Sequence, residues 1–420
     1  GVLIQGMSDQ YSSVLTAKHV LQIDKNDKSK GFKNKQQVII KDKDDITLII
    51  QELYHDPNLD ISIIQINFYP SLEIYPYKNN IERESDILLY GCPNGFIPDT
   101  YTLKFVDKTQ ETIQFSIIEN VQVSEMDGFS GGGMFYINDG KVYLYGVDNS
   151  AFKQAEFVNR PHGLHISAFE QIIENNDLAR LMPLYLSNFS HLTDDAFSTV
   201  CTEDEGSLIE IIAILHENIS KIVSISALSP IKILNNFQDR LMAYRQKHIE
   251  LEEKQLWIAF LEFMVIQLII NAPEHFNDGW EDEYLNEIFN SYRFIYTNSA
   301  QSYKSLYRKL IITSNTSYLK TNGRIILVAS GQMPSEPDSI THKINGTLRD
   351  ISIGLSEPGI ANVRNNRSKE YPIIHWPKLN DKCLADREFE YKELNRIENE
   401  GKMIEMLKQD YDAYLKIEED

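Results

Sequence analysis

Cysteine is scarce in this chain, and positive charge is outnumbered by negative charge. Only three cysteines occur in 420 residues (Cys92, Cys201 and Cys383), and they lack the spacing of metal ligands. A secreted enzyme held together by disulfides would usually carry more, so we expect a reducing, cytoplasmic location. The 61 acidic residues against 41 lysines and arginines give a net charge of −20. This balance argues against direct nucleic-acid binding, which needs a concentrated basic surface.

Long apolar runs are also lacking. The most membrane-like segment, 256–272, is shorter than a usual membrane span and is interrupted by Glu262 and Gln267. We interpret it as a buried helix and expect no membrane association. A phosphate-binding loop of the Gly-x-x-x-x-Gly-Lys type does not occur. His162 and His165 have a ligand-like spacing but no suitable third ligand, so we expect pocket-wall residues, with no metal site and no cofactor.

Short apolar or alternating runs follow one another through residues 1–178, separated by Asp, Asn, Lys and Gly. Such runs at near-regular spacing are typical of strands in a barrel or a sandwich. They form two sets, one before and one after the stretch 75–83, and this division predicts two small barrels. After Leu164 the apolar residues recur at helical spacing over 166–173, which predicts a closing helix.

The second half of the chain has mainly helical spacing. Polar and acidic composition favours a linker at 179–206, and we assign 207–420 to a mainly helical domain. Ser207 and Glu210 have the pattern of a capping box at the start of a helix. The charged stretch 386–417 also has helical spacing and predicts a solvated helix or a coiled-coil arm.

Two further elements are predicted in this second domain. Residues 284–296 have the spacing of another helix, and 324–328 form an apolar run that indicates a buried strand. The pattern as a whole therefore predicts a multidomain protein. An all-β N-terminal part is followed by a mainly α domain with a small β element.

One constellation of residues carries recognisable chemistry. Ser130 lies among glycines in the run MDGFSGGG, His19 lies in TAKHV, and Asp60 opens the alternating run DISIIQI. A serine hydroxyl is a poor nucleophile at neutral pH and needs a base, and the base needs a partner that holds its tautomer. Alone, the serine would be a turn residue and the histidine a core residue. Their combination in this order indicates nucleophilic catalysis.

Histidine, aspartate and Gly-x-Ser-Gly-Gly in this order resemble the chymotrypsin-fold serine proteases, and the resemblance covers nearly all of residues 1–178. It implies a double barrel in which Ser130 is the nucleophile, His19 the general base and Asp60 its partner. It also implies an oxyanion hole made by the backbone N–H groups of Gly128 and Ser130. Gly1 is not a natural start, and we expect the opening strand of the first barrel upstream of it, or absent.

The run YGCPNGF at 90–96 resembles the turn that opens the second barrel in the high-temperature-requirement branch of bacterial proteases. Two positions depart from the trypsin pattern. Phe129 stands where zymogens carry the aspartate that receives the freed N-terminal ammonium, so activation through that salt bridge is not expected. Ser124 stands where trypsin carries the aspartate that selects basic side chains.

The substrate-binding candidates are therefore Ser124, Glu125, Asp148 and Asn149. Glu125 follows the trypsin position, and Asp148 lies just beyond a run, 144–147, that resembles the strand lining the specificity pocket. A desolvated carboxylate from either residue would select Lys or Arg. The alternative interpretation is that both are solvated loop acids.

The resemblance implies a serine endopeptidase that acts on protein or peptide substrates. A helical domain fused to a protease is typical of control by location or by a partner, so we expect a regulatory protein partner to bind through 207–420. The arrangement also resembles intracellular proteases of bacterial conflict or defence systems. Two alternatives stay open: a pseudoprotease that keeps its barrels only to bind a peptide or partner, and a helical adaptor subunit in which proteolysis is incidental.

Overall fold

The chain divides into two compact units, Gly1–Leu184 and Tyr185–Asp420. The computed structural model describes residues 1–24, 27–70, 72–92, 98–117, 128–149, 161–200, 206–225, 228–237, 240, 251–271, 281–297, 319–329, 341–342 and 371–417. The first unit is built mainly of strands, and the second combines helices with a small sheet.

An antiparallel sheet forms the N-terminal part of the first unit. Its strands are β1 (Val2–Ile4), β2 (Tyr11–Ala17), β5 (Ile50–His55) and β6 (Ile61–Asn67), with a separate ribbon of β3 (Ile40–Lys41) and β4 (Thr47–Leu48). The order in the sheet is β1-β2-β6-β5. Among the residues that the structure describes this sheet does not close, so the first of the two predicted barrels is not confirmed.

A closed barrel forms the rest of the first unit. The strands here are β7 (Ile74–Pro76), β8 (Asp86–Gly91), β9 (Asp99–Lys108), β10 (Thr112–Ile117), β11 (Gly133–Asn138), β12 (Lys141–Asp148) and β13 (His162–His165). Six of them close the barrel in the order β11-β8-β9-β10-β13-β12, because β12 pairs back to β11, and β7 adds to β12 in parallel. Its interior holds Phe105, Phe115, Phe129 and Tyr145.

The hairpin of β11 and β12 closes this barrel. Asn138 pairs with Lys141, and the two residues between them, Asp139 and Gly140, have φ values of 49° and 71°. Two successive residues with positive φ are the signature of a type I′ turn, whose twist matches that of the flanking strands. The local sequence Asp-Gly thus fixes the register of the hairpin.

A helical segment ends the first unit, as the spacing after Leu164 predicts. It consists of a 3₁₀ turn, Ile166–Phe169, and the helix α1 (Glu170–Asn175). Phe169 is buried together with Leu15 and Ile63 of the N-terminal sheet and Leu144 of the barrel. One hydrophobic cluster is therefore shared by the two β-parts of the first unit.

The second unit packs helices around a mostly parallel sheet. The helices after α1 are α2 (Leu184–Ser187), α3 (Ile209–Val223), α4 (Pro230–Phe237), α5 (Lys254–Asn271), α6 (Glu281–Ser291), α7 (Trp376–Cys383), α8 (Glu388–Lys392) and α9 (Arg396–Leu415). The strands β14 (Tyr292–Thr297), β15 (Arg324–Ala329), β16 (Thr341–His342) and β17 (Ile373–His375) pair in the order β14-β15-β17-β16. Only β16 runs antiparallel. The apolar run at 324–328 is a buried strand, as predicted.

Helix α5 is the centre of the second unit. Its length and composition would allow it to cross a membrane, but 78% of its apolar window is buried inside the protein. The side chains from Leu256 to Ile269 are buried on all faces, including Glu262 and Gln267. The interpretation of this segment as a buried helix is confirmed.

The middle of the segment assigned to the linker, residues 189–197, is built into the second unit. Phe189, Leu192 and Phe197 are buried, and the backbone N–H of Phe197 donates to Oε1 of Glu262 at 2.5 Å. A few apolar side chains spaced through a polar stretch suffice for this docking, which is why average composition predicted an exposed connection. The second compact unit accordingly begins at Tyr185.

Two of the predicted helix ends are wrong. Helix α3 begins at Ile209, its N-cap residue Leu208 makes no side-chain capping bond, and the Ser207 hydroxyl donates to Oε2 of Glu388 at 3.1 Å. The helix expected over 284–296 ends at Ser291, and the chain continues as β14. Aromatic and β-branched residues predominate in β14 and favour a strand, and residues 292–296 are all buried.

The stretch 386–417 is not a solvated arm. It forms two helices, α8 and α9, and α9 buries Met403, Leu407, Tyr411 and Leu415 along one face. These positions recur every four residues, so the helix packs one narrow stripe against the unit while its many charges face away. The high charge of the stretch led the sequence interpretation to miss this apolar stripe.

Candidate active site

The β2–β6 ladder brings His19 and Asp60 together. Ala17 of β2 pairs with Ile61 of β6, and the backbone N–H of Lys18 donates to the carbonyl of Asp60 at 3.1 Å. His19 follows in a short 3₁₀ helix, Lys18–Leu21, while Asp60 is the last residue before β6. Residues 41 positions apart along the chain are therefore neighbours at one end of the sheet.

Asp60 contacts His19 at two points. One carboxylate oxygen, Oδ1, accepts from the backbone N–H of His19 at 2.8 Å, and the other, Oδ2, lies 2.6 Å from the ring Nδ1. The two side chains are 27% and 34% exposed. Because Nδ1 is held by the carboxylate, the ring presents Nε2 for proton exchange. This is the arrangement a general base needs.

Ser130 lies in a tight turn just before β11. The N–H of Gly132 donates to the carbonyl of Phe129 at 2.7 Å and closes the turn around Ser130. Two bonds fix this turn to the end of β12: Gly131 N–H donates to the Asp148 carbonyl at 2.7 Å, and Asp148 N–H donates to the Gly132 carbonyl at 2.9 Å. The barrel hairpin therefore positions the serine from both sides.

Gly131 packs against the segment that carries His19. A Cβ at this position would collide with Thr16 Oγ1 and would lie 3.4 Å from Val20 Cγ2. Gly131 also has a φ of 83°, a conformation that favours glycine. Only glycine thus lets the turn of Ser130 approach the residues around His19 so closely.

The positions predicted for the oxyanion hole lie in the same turn. Gly128 is exposed and has a φ of 104°, which again favours glycine. Phe129, between the two predicted donors, is fully buried, with its ring 5.3 Å from that of Tyr101 and its atoms against Gly91. Phe129 thus anchors the turn by packing inside the barrel. At this position trypsin-like zymogens carry a charged residue instead.

The substrate-binding candidates fall in two places. Ser124 and Glu125 lie outside the described residues. Asp148 ends β12 opposite Gly163 of β13 and is 0% exposed, and the N–H of Asn149 approaches the carbonyl of His162 at 3.4 Å. The buried position of Asp148 differs from that of a solvated loop acid.

His165 is a buried side chain of the barrel. Its Nδ1 lies 2.7 Å from the Ser167 hydroxyl, its Nε2 lies 3.2 Å from Lys108 Nζ, and its ring meets Tyr145 edge to face. Burial, reinforced by the nearby Lys108 ammonium, lowers the pKa of His165 to about 3. Both ring nitrogens are engaged. Within the described ranges no cluster of three or more His, Cys, Asp or Glu side chains could hold a metal ion.

Sequence reasoning missed two residues next to this site. Asp56 Oδ1 accepts from the backbone N–H groups of Asn58 and Leu59 at 2.8 and 2.7 Å, and Lys18 Nζ donates to the Asp56 carbonyl at 2.5 Å. The run Asp-Pro-Asn before Asp60 is a turn signal that could have indicated the first contact. The contact of Lys18 depends on strand pairing and has no local signal.

Comparisons with known proteins gave a family match and structural likenesses. No curated protein matches the chain. The inactive form of Rv3671c protease has a TM-score of 0.30 and 16% identity, over 42% of this chain and 82% of that chain. The active form, from M. tuberculosis, has a TM-score of 0.31 and 14% identity, over 43% and 81%. The C-terminal domain 4 of the ABC-three component systems, CTD4, matches residues 163–385, more than half of the chain. The chain belongs to this CTD4 family of ABC-three component systems.

Proposed function

We propose that the first unit is a serine endopeptidase of the chymotrypsin type, with Ser130, His19 and Asp60 as its catalytic triad. The observation that carries the proposal is the two-point contact of Asp60 with His19, at 2.8 and 2.6 Å. The packing of Gly131 against Thr16 and Val20 supports it, because Gly131 directly follows Ser130. The motif order in the sequence supports it independently.

In the proposed reaction His19 acts first as a base and then as an acid. Its Nε2 takes the proton of Ser130 Oγ while Oγ forms a bond to the carbonyl carbon of the substrate. The carbonyl π electrons move to the oxygen, and the backbone N–H groups of Gly128 and Ser130 stabilise that oxyanion. His19 then gives its proton to the leaving amine as the C–N bond breaks. A water molecule then attacks the acyl group on Ser130 Oγ, with His19 again acting as base and then as acid. The bond to Oγ breaks, and the carboxylic acid product is released.

We assign the specificity pocket to the carboxyl end of β12. Ser124, Glu125, Asp148 and Asn149 are its candidate residues, and Asp148 has a buried carboxyl group at the end of β12. A carboxylate withdrawn from water binds a cation strongly, so this pocket would take Lys or Arg at the cleavage position. A peptide-library cleavage profile with apolar or small residues there would refute the assignment.

The second unit would control this enzyme through a partner protein. Membership of a CTD4 family implies partner components in a multi-protein system. We therefore propose a protease of a bacterial, defence-type system that works in the cytoplasm, with residues 207–420 as the surface for the regulatory partner. Pull-down with the Ser130→Ala chain as a substrate trap would identify what it cleaves.

The decisive experiment is active-site labelling with a fluorophosphonate. We expect label on Ser130, located by mass spectrometry of the modified peptide, and none on the Ser130→Ala chain. Ser116→Ala, which removes a serine from β10 of the same barrel, is the matched control and should label normally. Labelling of both variants alike would refute the proposal. An unlabelled but partner-binding wild-type chain would favour the pseudoprotease or adaptor alternative.

A further inference from the structure

The loop that carries Asp60 is held by a residue at its other end. It connects β5 to β6 and runs from Asp56 to Asp60. The Asp56 N–H donates to the carbonyl of Ile61 at 3.2 Å, and its Oδ1 accepts from the N–H groups of Asn58 and Leu59. Pro57 fixes a further backbone angle. Every residue before Asp60 in this loop is thus restrained.

Lys18 bonds to both ends of the same loop. Its backbone N–H donates to the carbonyl of Asp60 at 3.1 Å, and its ammonium donates to the carbonyl of Asp56 at 2.5 Å. The second bond carries a full charge on the donor, which makes it stronger than a neutral one. Because Lys18 directly precedes His19, one residue ties the base to the first and last residues of the loop.

We propose that Asp56 and Lys18 are positioning residues that hold the Asp60 carboxylate against the His19 ring. The inference rests on the proposed function, in which that carboxylate orients the base. Asp60 is 34% exposed and sits on a loop, so packing confines its side chain only in part. A backbone fixed on both sides supplies that confinement. Misplacement of a catalytic group by about 1 Å costs on the order of 10²-fold in rate.

The chemistry of Asp56 points to the same role. The residue is 2% exposed, and within the described part of the chain its Oδ2 has no hydrogen-bond partner. Only Oδ1 is used, and an asparagine would supply the same acceptor without a buried charge. We therefore expect Asp56→Asn to keep the loop in place, whereas Asp56→Ala removes both bonds to the loop amides.

A matched control exists in the same sheet region. Asp42 Oδ1 accepts from the N–H groups of Asp44 and Ile46, each at 2.9 Å, in the turn between β3 and β4. Asp42→Ala therefore removes the same number of side-chain bonds to turn amides as Asp56→Ala. Asp42→Ala also removes the bond from the Tyr69 hydroxyl to Asp42 Oδ2 at 3.1 Å, so it is the more disruptive change to its own turn. Only the turn of Asp56 carries Asp60.

The first test is the rate of fluorophosphonate labelling of Ser130, with thermal unfolding of each variant measured in parallel. We expect Asp56→Ala to label about 10- to 100-fold more slowly. Asp56→Asn should label within about threefold of wild type, and Lys18→Met should fall between the two. Asp42→Ala should label normally. Equal losses in Asp56→Ala and Asp42→Ala would overturn the proposal.

The second test does not depend on catalysis. In chains with ¹⁵N-labelled histidine, the ring Nδ1–H of His19 bonded to Asp60 gives a proton resonance far downfield. We expect Asp56→Ala to broaden or abolish this resonance and Asp56→Asn and Asp42→Ala to keep it. If wild type is never labelled but the resonance follows this pattern, the proposed function fails and the positioning role stands. A resonance unchanged in Asp56→Ala refutes the positioning role itself.

Discussion

The two units of this protein each contain a carboxylate with specific partners, and the two are solvated very differently. Asp60 in the first unit is 34% exposed and faces an ionisable ring. Glu262 in the second unit is 4% exposed and accepts from three neutral donors: the Phe197 N–H at 2.5 Å, Trp376 Nε1 at 2.7 Å and Asn380 Nδ2 at 2.9 Å. Among the described residues no cation pairs with Glu262.

The proposed function would make Asp60 a catalytic carboxylate, whereas the contacts of Glu262 are structural. In the proposed triad Asp60 would hold the tautomer of His19 and stabilise the imidazolium that forms on the ring. Glu262 instead joins distant segments of the chain. Its donors lie in the 189–199 segment and α7, and Asn380 continues the network to the Tyr411 hydroxyl of α9 at 2.8 Å. Burial raises the pKa of Glu262 to about 7.

The largest expected effect is that of Asp60→Asn on catalysis. The amide leaves the shape of the site but favours the wrong tautomer of His19, so we expect labelling of Ser130 to fall about 10³- to 10⁴-fold. Thermal unfolding should change little, because the side chain is half-exposed. Asp86→Asn, at an exposed acid of the barrel, is the control. A fall in the labelling rate of less than about tenfold would mean that Asp60, like Glu262, has a structural and not a catalytic role.

The next effect is that of Glu262→Ala on stability. Three buried donors lose their acceptor, and we expect the second unit to lose about 3–5 kcal/mol of its unfolding free energy. All three tryptophans of the chain, Trp257, Trp280 and Trp376, belong to this unit, so tryptophan fluorescence during urea unfolding reports on it selectively. Glu405→Ala on α9, an exposed acid, should change little. Equal effects of the two variants would contradict a structural role for Glu262.

The pH dependence of stability sharpens the contrast further. The pKa of Glu262 is raised from an ordinary 4.5 to about 7 in the folded chain, so its protonated form is favoured there. The unfolding free energy of the second unit should therefore fall as pH rises from about 5 to about 7 and then level off, by up to about 3 kcal/mol. Urea titrations across this range measure it. Glu262→Gln should flatten the curve, and an unflattened curve would assign the effect elsewhere.

The smallest expected effect is on the labelling rate of Ser130, and it comes from comparing alanine substitutions at two glycines of the first unit. Gly131→Ala and Gly140→Ala both place an alanine at positive φ, which costs about 1–2 kcal/mol. A Cβ at Gly140 meets nothing within 4 Å, whereas one at Gly131 collides with Thr16. We expect similar losses of thermal stability from the φ term, with slower labelling of Ser130 only in Gly131→Ala. Normal labelling of that variant would mean that the turn of Ser130 tolerates displacement.

Much of the first unit could be predicted from its sequence. Alternating runs gave the strands of the barrel, and the contexts of His19 and Asp60 predicted residues that the β2–β6 ladder places in contact. These signals are local, because each strand shows its buried face within a few residues. Closure of the barrel by β11 and β12 also has a local sign, the Asp-Gly turn.

The second unit was harder to predict because its main contacts are distant in sequence. Ser207 bonds to Glu388, 181 residues away, so its capping pattern was misleading. Glu262 bonds to residues 65, 114 and 118 positions away, and its charge indicated only an interruption of an apolar run. Lys18 in the first unit escaped notice for the same reason, because its ammonium bonds to the carbonyl of Asp56, 38 residues away. Local patterns do not contain the partners that tertiary packing selects.

Closure of the barrel sets the order in which the first unit can become competent. The turn around Ser130 is bonded through Gly131 and Gly132 to Asp148, the last residue of the closing hairpin. Until β12 has paired with β11 and β13, the N–H of Gly131 lacks its acceptor and the carbonyl of Gly132 lacks its donor. The orientation of Ser130 is then not fixed. If the proposed function holds, Ser130 therefore takes its final orientation only late in the folding of the first unit, after the barrel has closed.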